Sequence, residues 1–327
     1  MEFLHNDKEM FSQAINLVTN KNGIRPEIVE KDYYVTMILR LLSERLPFIV
    51  FKGGTSLSKC HKAINRFSED IDITIDTTLS QSQKKKVKEA IEEVNSILGL
   101  SIPNIDETRS RRDYNRYEIE YNPIDELDDV AVLPTVILET SYTSISFPVS
   151  ELSVHNYIGD MMVDEAPDYI ERYYLSPFTM KVQDISRTLA DKVFAVCDYY
   201  LQNKTEKHSR HLYDIYKLLP LVPQNETFKK FVKEVRKVRA LSPVCPSAKF
   251  DVNVVELLKK IISENVYKSD YVDITEELLE EKLNYETVIP ALRQLAERRA
   301  ALNHLANIFY GLFKFFLCKP GLFSVKL

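Results

Sequence analysis

The amino-acid sequence predicts an α+β fold with two lobes, a strand-containing lobe over residues 1–175 and an all-helical lobe over residues 176–327. Short runs of apolar and β-branched residues bounded by turn residues, which are typical of strands, occur before residue 175. After Ser176-Pro177 the apolar residues recur at spacings of three and four, which is typical of helices. The 327 residues, of which 45% are hydrophobic and 28% are charged, suffice for two such cores.

Cysteine usage and the two ends of the chain exclude several classes of protein. The four cysteines lie far apart without a Cys-x-x-Cys pair, which indicates neither a disulfide framework nor a zinc site. The N-terminus lacks the basic start and apolar run of a signal peptide, so we expect a cytoplasmic protein. The longest apolar run, residues 307–318, carries Lys314 and is too short to span a bilayer. We interpret it as a docking helix or tail, with contact to a membrane surface or partner as the alternative.

Two helices are predicted before the first strand, over residues 7–20 and 26–46. Asn22-Gly23 separates them, and Pro26 stands in the first turn of the second helix, where proline is tolerated. The second helix contains Glu30-Lys-Asp-Tyr33, whose charges form either a solvated face or a support for a functional site.

A short buried strand followed by a glycine pair is the most distinctive feature of the chain. Phe48-Ile-Val-Phe51 is apolar and soon ends at Gly53-Gly54, two of only seven glycines in the sequence. Thr55 and Ser56 are suitable N-caps for a helix that follows. Because glycine has no Cβ, a phosphate group could approach the backbone amides of this turn. We therefore predict a nucleotide-phosphate site at Gly53, Gly54, Thr55 and Ser56.

Residues 70–76 form the second predicted strand, and period-two alternation divides their side chains between two faces. Three isoleucines point to one face, whereas Asp70 and Asp72 point to the other. Neighbouring carboxylates repel each other unless a cation or basic groups compensate them, and carboxylate oxygens suit Mg²⁺. The alternative is an edge strand with a solvated acidic face; the glycine turn upstream favours the metal site.

Further strands follow a helix predicted over residues 80–98. A basic segment, residues 109–116, leads into a strand with alternating apolar residues over 117–121. Residues 133–141 form the next predicted strand and contain Glu139.

Two of these motifs together resemble a known family. Lys52-Gly-Gly-Thr-Ser-Leu-Ser58 with Arg66-Phe-Ser-Glu-Asp-Ile-Asp72 resembles the polymerase-β-like nucleotidyltransferase superfamily and, more narrowly, the AbiEii toxin family. The resemblance implies a mixed catalytic sheet in the first lobe, a nucleoside triphosphate (NTP) as substrate, and Mg²⁺ or Mn²⁺ held by Asp70 and Asp72. In many superfamily members a third carboxylate on a neighbouring strand completes the metal site, and Glu139 is the candidate here. An edge-strand glutamate that faces water is the alternative.

Two motifs in the predicted helical lobe extend the resemblance. Thr188-Leu-Ala-Asp-Lys-Val-Phe-Ala195 is similar to the family's lysine-bearing helix, and Ser209-Arg-His-Leu-Tyr-Asp-Ile215 is similar to its Arg-rich, Tyr-Asp motif. The resemblance implies a phosphate contact for Lys192 and an active-site carboxylate for Asp214. By position alone, Lys192 flanks the apolar stripe of its helix, where a lysine usually extends its ammonium group to solvent. Asp214 likewise lies off the apolar stripe of its own helix.

A basic helix is predicted over residues 228–239, with six lysines and arginines against a single glutamate. Its apolar stripe leaves these charges pointing outward, where a nucleic-acid backbone could lie although the chain carries a net charge of −5. A solvated helix face is the alternative.

The sequence and the resemblance together predict a metal-dependent nucleotidyltransferase toxin, with Asp70, Asp72, Lys192 and Asp214 as catalytic residues. It would transfer a nucleotide from an NTP to RNA, with the 3′ end of tRNA as the predicted acceptor. The resemblance implies a toxin–antitoxin or phage abortive-infection system, in which a cognate antitoxin is a possible partner. One alternative is a transferase that modifies a protein or a small molecule. The other is a non-catalytic regulator that binds a nucleotide or a partner, against which the carboxylate pair argues.

Overall fold

The structure is a computed structural model that describes residues 2–68, 70–124, 132–142 and 145–297. These residues form two compact units, of which the first ends at Thr188 and the second begins at Leu189. The first unit combines a mixed sheet with helices, and the described part of the second unit is built from helices. The α+β class predicted from the sequence is confirmed.

A six-stranded sheet forms the centre of the first unit. Its strands are β1 (Ile49–Lys52), β2 (Ile71–Ile75), β3 (Tyr114–Glu120), β4 (Thr135–Ser141), β5 (Val149–Val154) and β6 (Phe178–Gln183). The order across the sheet is β3-β4-β2-β1-β6-β5. β1 runs antiparallel to β2 and parallel to β6, β2 runs parallel to β4, and the pairs β3–β4 and β5–β6 are antiparallel. The mixed sheet therefore has β3 at one edge.

Helices accompany this sheet in the first unit, and several of them share a buried core with its apolar side chains. They are α1 (Lys8–Asn22), α2 (Pro26–Arg45), α3 (Gly53–Lys59), α4 (Gln81–Ile97), α5 (Tyr157–Glu165) and α6 (Asp168–Arg172), and α7 (Ile185–Leu201) contains the division between the units. α2 packs against α1, α4 and α5. Ile71, Ile73 and Ile75 of β2 are buried in the same core as these helices, as the alternation predicts.

The second unit continues from α7 with α8 (Arg210–Leu218), α9 (Glu226–Arg239), α10 (Val254–Ser263), α11 (Lys268–Asp270) and α12 (Tyr285–Glu297). α12 packs against both α8 and α10. Among the residues that the structure describes, no helix is long and apolar enough to cross a membrane. The apolar run at 307–318 lies outside the described residues.

The charged residues in the middle of α2 are buried, so their interpretation as a solvated face is wrong. Glu30 and Lys31 are 5% and 2% exposed. The Glu30 carboxylate accepts a hydrogen bond of 3.0 Å from the amide of Ile124. The Lys31 ammonium donates one of 3.0 Å to the carbonyl of Leu133. Both side chains therefore tie α2 to segments that flank β3 and β4.

Asp32 connects α2 to α3 and α5. Its Oδ1 forms an ion pair with the buried ammonium group of Lys59 at the end of α3. Its Oδ2 accepts a hydrogen bond of 3.0 Å from the amide of Tyr157, the first residue of α5. Lys59 also donates to the carbonyl of His155 at 3.0 Å. These contacts hold α3, the helix that follows the glycine pair. The charged segment of α2 therefore supports the Gly53-Gly54 turn.

Strand β6 was not predicted, because the sequence was assigned little strand character after residue 175. Phe178, Met180 and Val182 alternate with polar residues in β6, and the strand pairs with both β1 and β5. The period-two signal was present but short, and the helical pattern that follows it dominated the prediction.

Candidate active site

The glycine pair lies against the acidic strand, and the space that each glycine leaves is taken by a side chain. Gly53 has a positive φ of 83°, and a Cβ there would stand 1.9 Å from Oδ2 of Asp72. A Cβ on Gly54 would stand 2.7 Å from both Nη2 of Arg66 and Oγ of Ser68. The two halves of the motif are therefore physically linked, because the glycines admit the side chains of the second half.

Thr55 and Ser56 do not cap the helix, so that prediction is wrong. α3 begins at Gly53, and Lys52 occupies the N-cap position without a side-chain cap bond. The Thr55 hydroxyl lies 3.0 Å from the Ser68 hydroxyl, and the Ser56 hydroxyl donates to the carbonyl of Gly53 at 2.9 Å. Both side chains are buried. Their contact with a nucleotide, like that of the two glycines, stays a prediction.

Four charged residues line up across four neighbouring strands. Lys52 pairs with Asp72, Asp72 pairs with Glu139, and Glu139 pairs with Arg116 in the register of β1, β2, β4 and β3. Directly paired residues project to the same face of a sheet, and neighbouring strands are about 4.8 Å apart. We call these four residues the charge row. It places two carboxylates side by side with one basic residue at each end.

Glu139 experiences the charge of Asp72 directly. Burial raises the pKa of Glu139 above its usual range, and the Asp72 carboxylate raises it further. The Tyr114 hydroxyl, which donates to Glu139 Oε1 at 2.9 Å, and the charges of Lys52 and Arg116 lower this pKa and offset part of the effect. The two carboxylates therefore repel each other when both are ionised, and their hard oxygen atoms are the donors that Mg²⁺ and Mn²⁺ prefer.

Asp70 lies immediately before β2, two residues from Asp72, and is partly exposed. Among the described residues, no group of three or more histidine, cysteine, aspartate and glutamate side chains has an arrangement that could hold a metal ion. The structure thus brings Asp72 and Glu139 together, and the three-carboxylate metal site with Asp70 stays a prediction.

Lys192 and Asp214 form a buried ion pair in the second unit. Lys192 Nζ on α7 lies 2.5 Å from Asp214 Oδ2 on α8, and the two residues are 7% and 0% exposed. By position alone, a lysine at the flank of an apolar stripe usually extends to solvent, whereas the family resemblance implied an active-site contact for both residues. The structure buries both side chains, so the solvent-exposed alternative for Lys192 is wrong. The predicted pairing of the two motifs in one site is consistent with this contact.

His211 adjoins this ion pair. Its Nδ1 lies 3.4 Å from Lys192 Nζ, and its pKa is well below the usual range because of burial and the lysine charge. The imidazole is therefore neutral at physiological pH, so Nδ1 can accept a hydrogen bond from the ammonium group. The His211 ring is nearly parallel to those of Tyr199 and His208, whose centroids lie 3.5 Å apart. This stack restricts the orientation of the imidazole next to Lys192.

The basic helix is not the six-charge outward face that the sequence predicts. Arg236 is 5% exposed and donates to the carbonyl groups of Ala248 and Val252 at 3.1 and 2.7 Å. Arg239 forms ion pairs with Asp191 and Asp198 at 2.9 and 2.8 Å. Both guanidinium groups thus hold the second unit together.

Two lysines of α9 are also engaged on the helix itself. Lys229 pairs with Glu226 and Lys237 pairs with Glu234. Exposed ion pairs of this kind are weak, so the lysines of α9 remain at the surface and their contact with a nucleic acid stays a prediction.

The sequence did not place the side chains of Lys52, Tyr114 and Arg116 beside the carboxylates. Lys52 and Arg116 join the carboxylates only through strand register, and Tyr114 lies three residues before the predicted strand start. The signal for Tyr114 and Arg116 was their period-two spacing with Glu118 along β3.

The sequence matches a family model described as "Nucleotidyl transferase AbiEii toxin, Type IV TA system" over residues 39–298. Among solved structures, the chain is similar to MenT4, a nucleotidyltransferase toxin from Mycobacterium tuberculosis H37Rv. The two share 16% sequence identity with a TM-score of 0.49, over 93% of this chain and 99% of that one. A comparison with curated protein sequences gives no match.

Proposed function

This chain belongs to the AbiEii family of nucleotidyltransferase toxins, and we propose that it transfers a nucleotide from an NTP to an RNA acceptor. A hydroxyl group of the RNA would attack the α-phosphorus of the NTP, and pyrophosphate would leave. The observation that supports this reaction best is the pair of carboxylates, Asp72 and Glu139, set side by side next to the glycine turn.

The carboxylate face has the donor chemistry of a divalent-metal site. Asp70 and Asp72 would hold Mg²⁺ or Mn²⁺, with Glu139 as the third carboxylate, and the repulsion between Asp72 and Glu139 is what a bound cation would relieve. When bound, the metal would stabilise the negative charge that develops on the phosphoryl oxygens and on the leaving group.

The two basic residues of the charge row and the nearby Tyr114 stabilise these carboxylates. Lys52 and Arg116 reduce their repulsion without a metal, and the Tyr114 hydroxyl holds the Glu139 carboxylate by a hydrogen bond. The hydrogen bond from Tyr114 and the register of β2 against β4 thereby keep Glu139 oriented beside Asp72.

Lys192 and Asp214 take the roles that family membership suggests. Lys192 would contact the triphosphate, and Asp214 would orient or deprotonate the acceptor hydroxyl. His211 accepts from the lysine ammonium group and so fixes its direction. The Gly53-Gly54 turn, with Thr55 or Ser56, would contact the β- and γ-phosphates.

The family description names a type IV toxin–antitoxin system, which supports a cellular role. We propose that the chain arrests growth by modifying an essential RNA, with the 3′ end of tRNA as the acceptor, and that a cognate antitoxin opposes it. Abortive infection by phage is the setting in which such an arrest protects a population.

A labelling experiment tests this function. The protein is incubated with total RNA and each α-labelled NTP, with and without EDTA, and the products are separated by size. We expect label in RNA of tRNA length, none with EDTA, and none with Asp72→Asn. Label on the protein or on a small molecule, or labelling that persists with EDTA, would contradict the proposal.

A further inference from the structure

We propose that the segment leading into β3, with Arg109, Arg111, Arg112 and Tyr114, is the surface that holds the single-stranded 3′ end of the RNA acceptor. The three guanidinium groups would contact backbone phosphates, and the Tyr114 ring would stack on the terminal base. This inference rests on the proposed function and names the side of the carboxylate site from which the acceptor arrives.

Tyr114 is a large aromatic side chain presented at the carboxylates. It is 49% exposed although its hydroxyl is held by Glu139 at 2.9 Å. Tyr114 and Arg116 share a face of β3, and Arg116 pairs in register with Glu139. An exposed ring fixed at one end offers a stacking platform for a base, and a base placed there would bring its ribose close to Glu139 and Asp72.

The edge position of β3 leaves room for a strand of RNA. Among the described strands β3 is the outermost on its side of the sheet, so no described strand lies beyond its approach segment. Arg109, Arg111 and Arg112 precede β3 directly, and all three are exposed. An extended chain can therefore reach the carboxylates past these arginines without displacing any strand.

Two of the three arginines, Arg109 and Arg112, are held by backbone carbonyl groups rather than by carboxylates. Arg109 donates to the carbonyl group of Thr108 at 3.0 Å, and Arg112 donates to that of Glu107 at 3.1 Å. Within the described part of the chain, none of the three forms an ion pair. Guanidinium groups held in this way keep their charge available for phosphate oxygens.

Acidic neighbours limit the strength of this surface. Asp113 is neutralised by Lys84 at 2.5 Å, whereas Asp106 and Glu107 are exposed beside the arginines. The segment thus attracts RNA through local contacts rather than through a large positive field. We expect moderate affinity with a measurable dependence on salt.

The first test removes the three arginines together, as Arg109→Ala, Arg111→Ala and Arg112→Ala. The probe is total tRNA with an α-labelled NTP, and KM for the RNA and kcat are measured over a salt titration. We expect KM to rise at least tenfold with kcat largely retained. The dependence of log affinity on log salt should weaken by about two units, at about 0.7 per lost contact with a single strand.

A matched control removes three exposed basic residues elsewhere in the same unit, Lys21, Arg25 and Arg172, each changed to alanine. It changes the net charge equally and should leave KM within about twofold, because exposed ion pairs contribute little. Thermal unfolding of both triple variants establishes that they fold.

The second test separates the ring of Tyr114 from its hydroxyl. Tyr114→Ala should raise KM for RNA about tenfold, as expected for the loss of one stacked base. Tyr114→Phe keeps the ring, so KM for RNA should stay within about twofold of the wild-type value, which separates the ring from the hydrogen bond to Glu139.

The outcomes distinguish the two proposals. If the wild-type protein labels RNA and the arginine variant matches it in KM and salt dependence, the surface is wrong and the proposed function stands. An unchanged KM for Tyr114→Ala would remove the stacking platform. If the wild-type protein labels no RNA, both proposals fail.

Discussion

The charge row of the first unit and the Lys192–Asp214 pair of the second unit differ in two respects. The central neighbours of the charge row carry like charges and are partly exposed, whereas the members of the pair carry opposite charges and are buried. In the charge row, two partly exposed carboxylates stand side by side and repel each other. In the second unit, Lys192 and Asp214 are opposite charges, almost completely buried and 2.5 Å apart. The repulsion between Asp72 and Glu139 opposes folding, whereas removal of one member of the Lys192–Asp214 pair would leave a buried charge without this partner. Substitutions should therefore separate stability from activity in the first unit and couple them in the second.

The largest expected effect on stability comes from breaking the buried pair. Lys192→Met leaves the Asp214 carboxylate buried without this partner, and we expect a loss of about 3–5 kcal/mol in the free energy of unfolding. Urea denaturation of the purified variant measures it. A loss below about 1 kcal/mol would show that the pair is not a structural element.

A double variant separates the structural role of this pair from the catalytic one. Lys192→Met with Asp214→Leu removes both charges, and the free energy of unfolding should recover to within about 1–2 kcal/mol of the wild-type value. Nucleotide transfer should be absent from both the single and the double variant. Recovery of both stability and transfer would show that the pair serves folding alone.

The next effect concerns the contact between the glycine turn and the acidic strand. Gly53→Ala forces a Cβ onto the Asp72 carboxylate and adds backbone strain at positive φ, so we expect a loss of about 2–4 kcal/mol. Gly99→Ala is the matched control, because Gly99 has a φ of 66° with nothing within 4 Å of its Cβ position. Gly99→Ala should lower the free energy of unfolding only by the backbone strain at positive φ, about 1–2 kcal/mol. Equal losses in chemical denaturation would disprove the contact with Asp72.

The smallest expected effect is a gain in stability when one carboxylate is neutralised. The pKa of Glu139 is raised in the folded protein, so its folded state prefers the protonated form. Stability from this group is complete below the usual carboxyl pKa and is lost as the pH rises through the raised value. Glu139→Gln should therefore match the wild-type protein near pH 4 and exceed it at pH 7–8, by roughly a few degrees in Tm. Differential scanning calorimetry across this pH range would show no such divergence if Glu139 were fully solvated.

Local patterns predicted the parts of the site that depend on one strand or one turn. The alternation in residues 70–76 placed Asp72 opposite the buried isoleucines, and the glycine pair marked the turn. The partnership between Asp72 and Glu139 could not be deduced from residues alone, because it depends on the register of β2 against β4, two strands far apart in sequence. Resemblance to a family, rather than periodicity, singled out Glu139.

Helical periodicity failed where loops or neighbouring helices cover the flank of an apolar stripe. Arg236 was predicted to face outward, but a loop that contains Ala248 folds over it and supplies carbonyl acceptors. Lys192 and Asp214 lie off the apolar stripes of their own helices and are nevertheless buried, where they pair with each other. A single helix cannot reveal what packs beside it, so the Arg236 side chain was assigned to solvent.

The Asp72 carboxylate is proposed to be required for nucleotide transfer while its repulsion with Glu139 lowers the stability of the fold. Asp72→Asn tests this claim most directly. Transfer of label to RNA and the thermal unfolding midpoint are measured on the same preparation, with Glu120→Gln on the exposed edge of β3 as the control. We expect transfer by Asp72→Asn to fall by at least about a thousandfold while its Tm stays equal or rises. The control should change neither quantity. Wild-type transfer by Asp72→Asn, or a Tm lowered by several degrees, would contradict the claim.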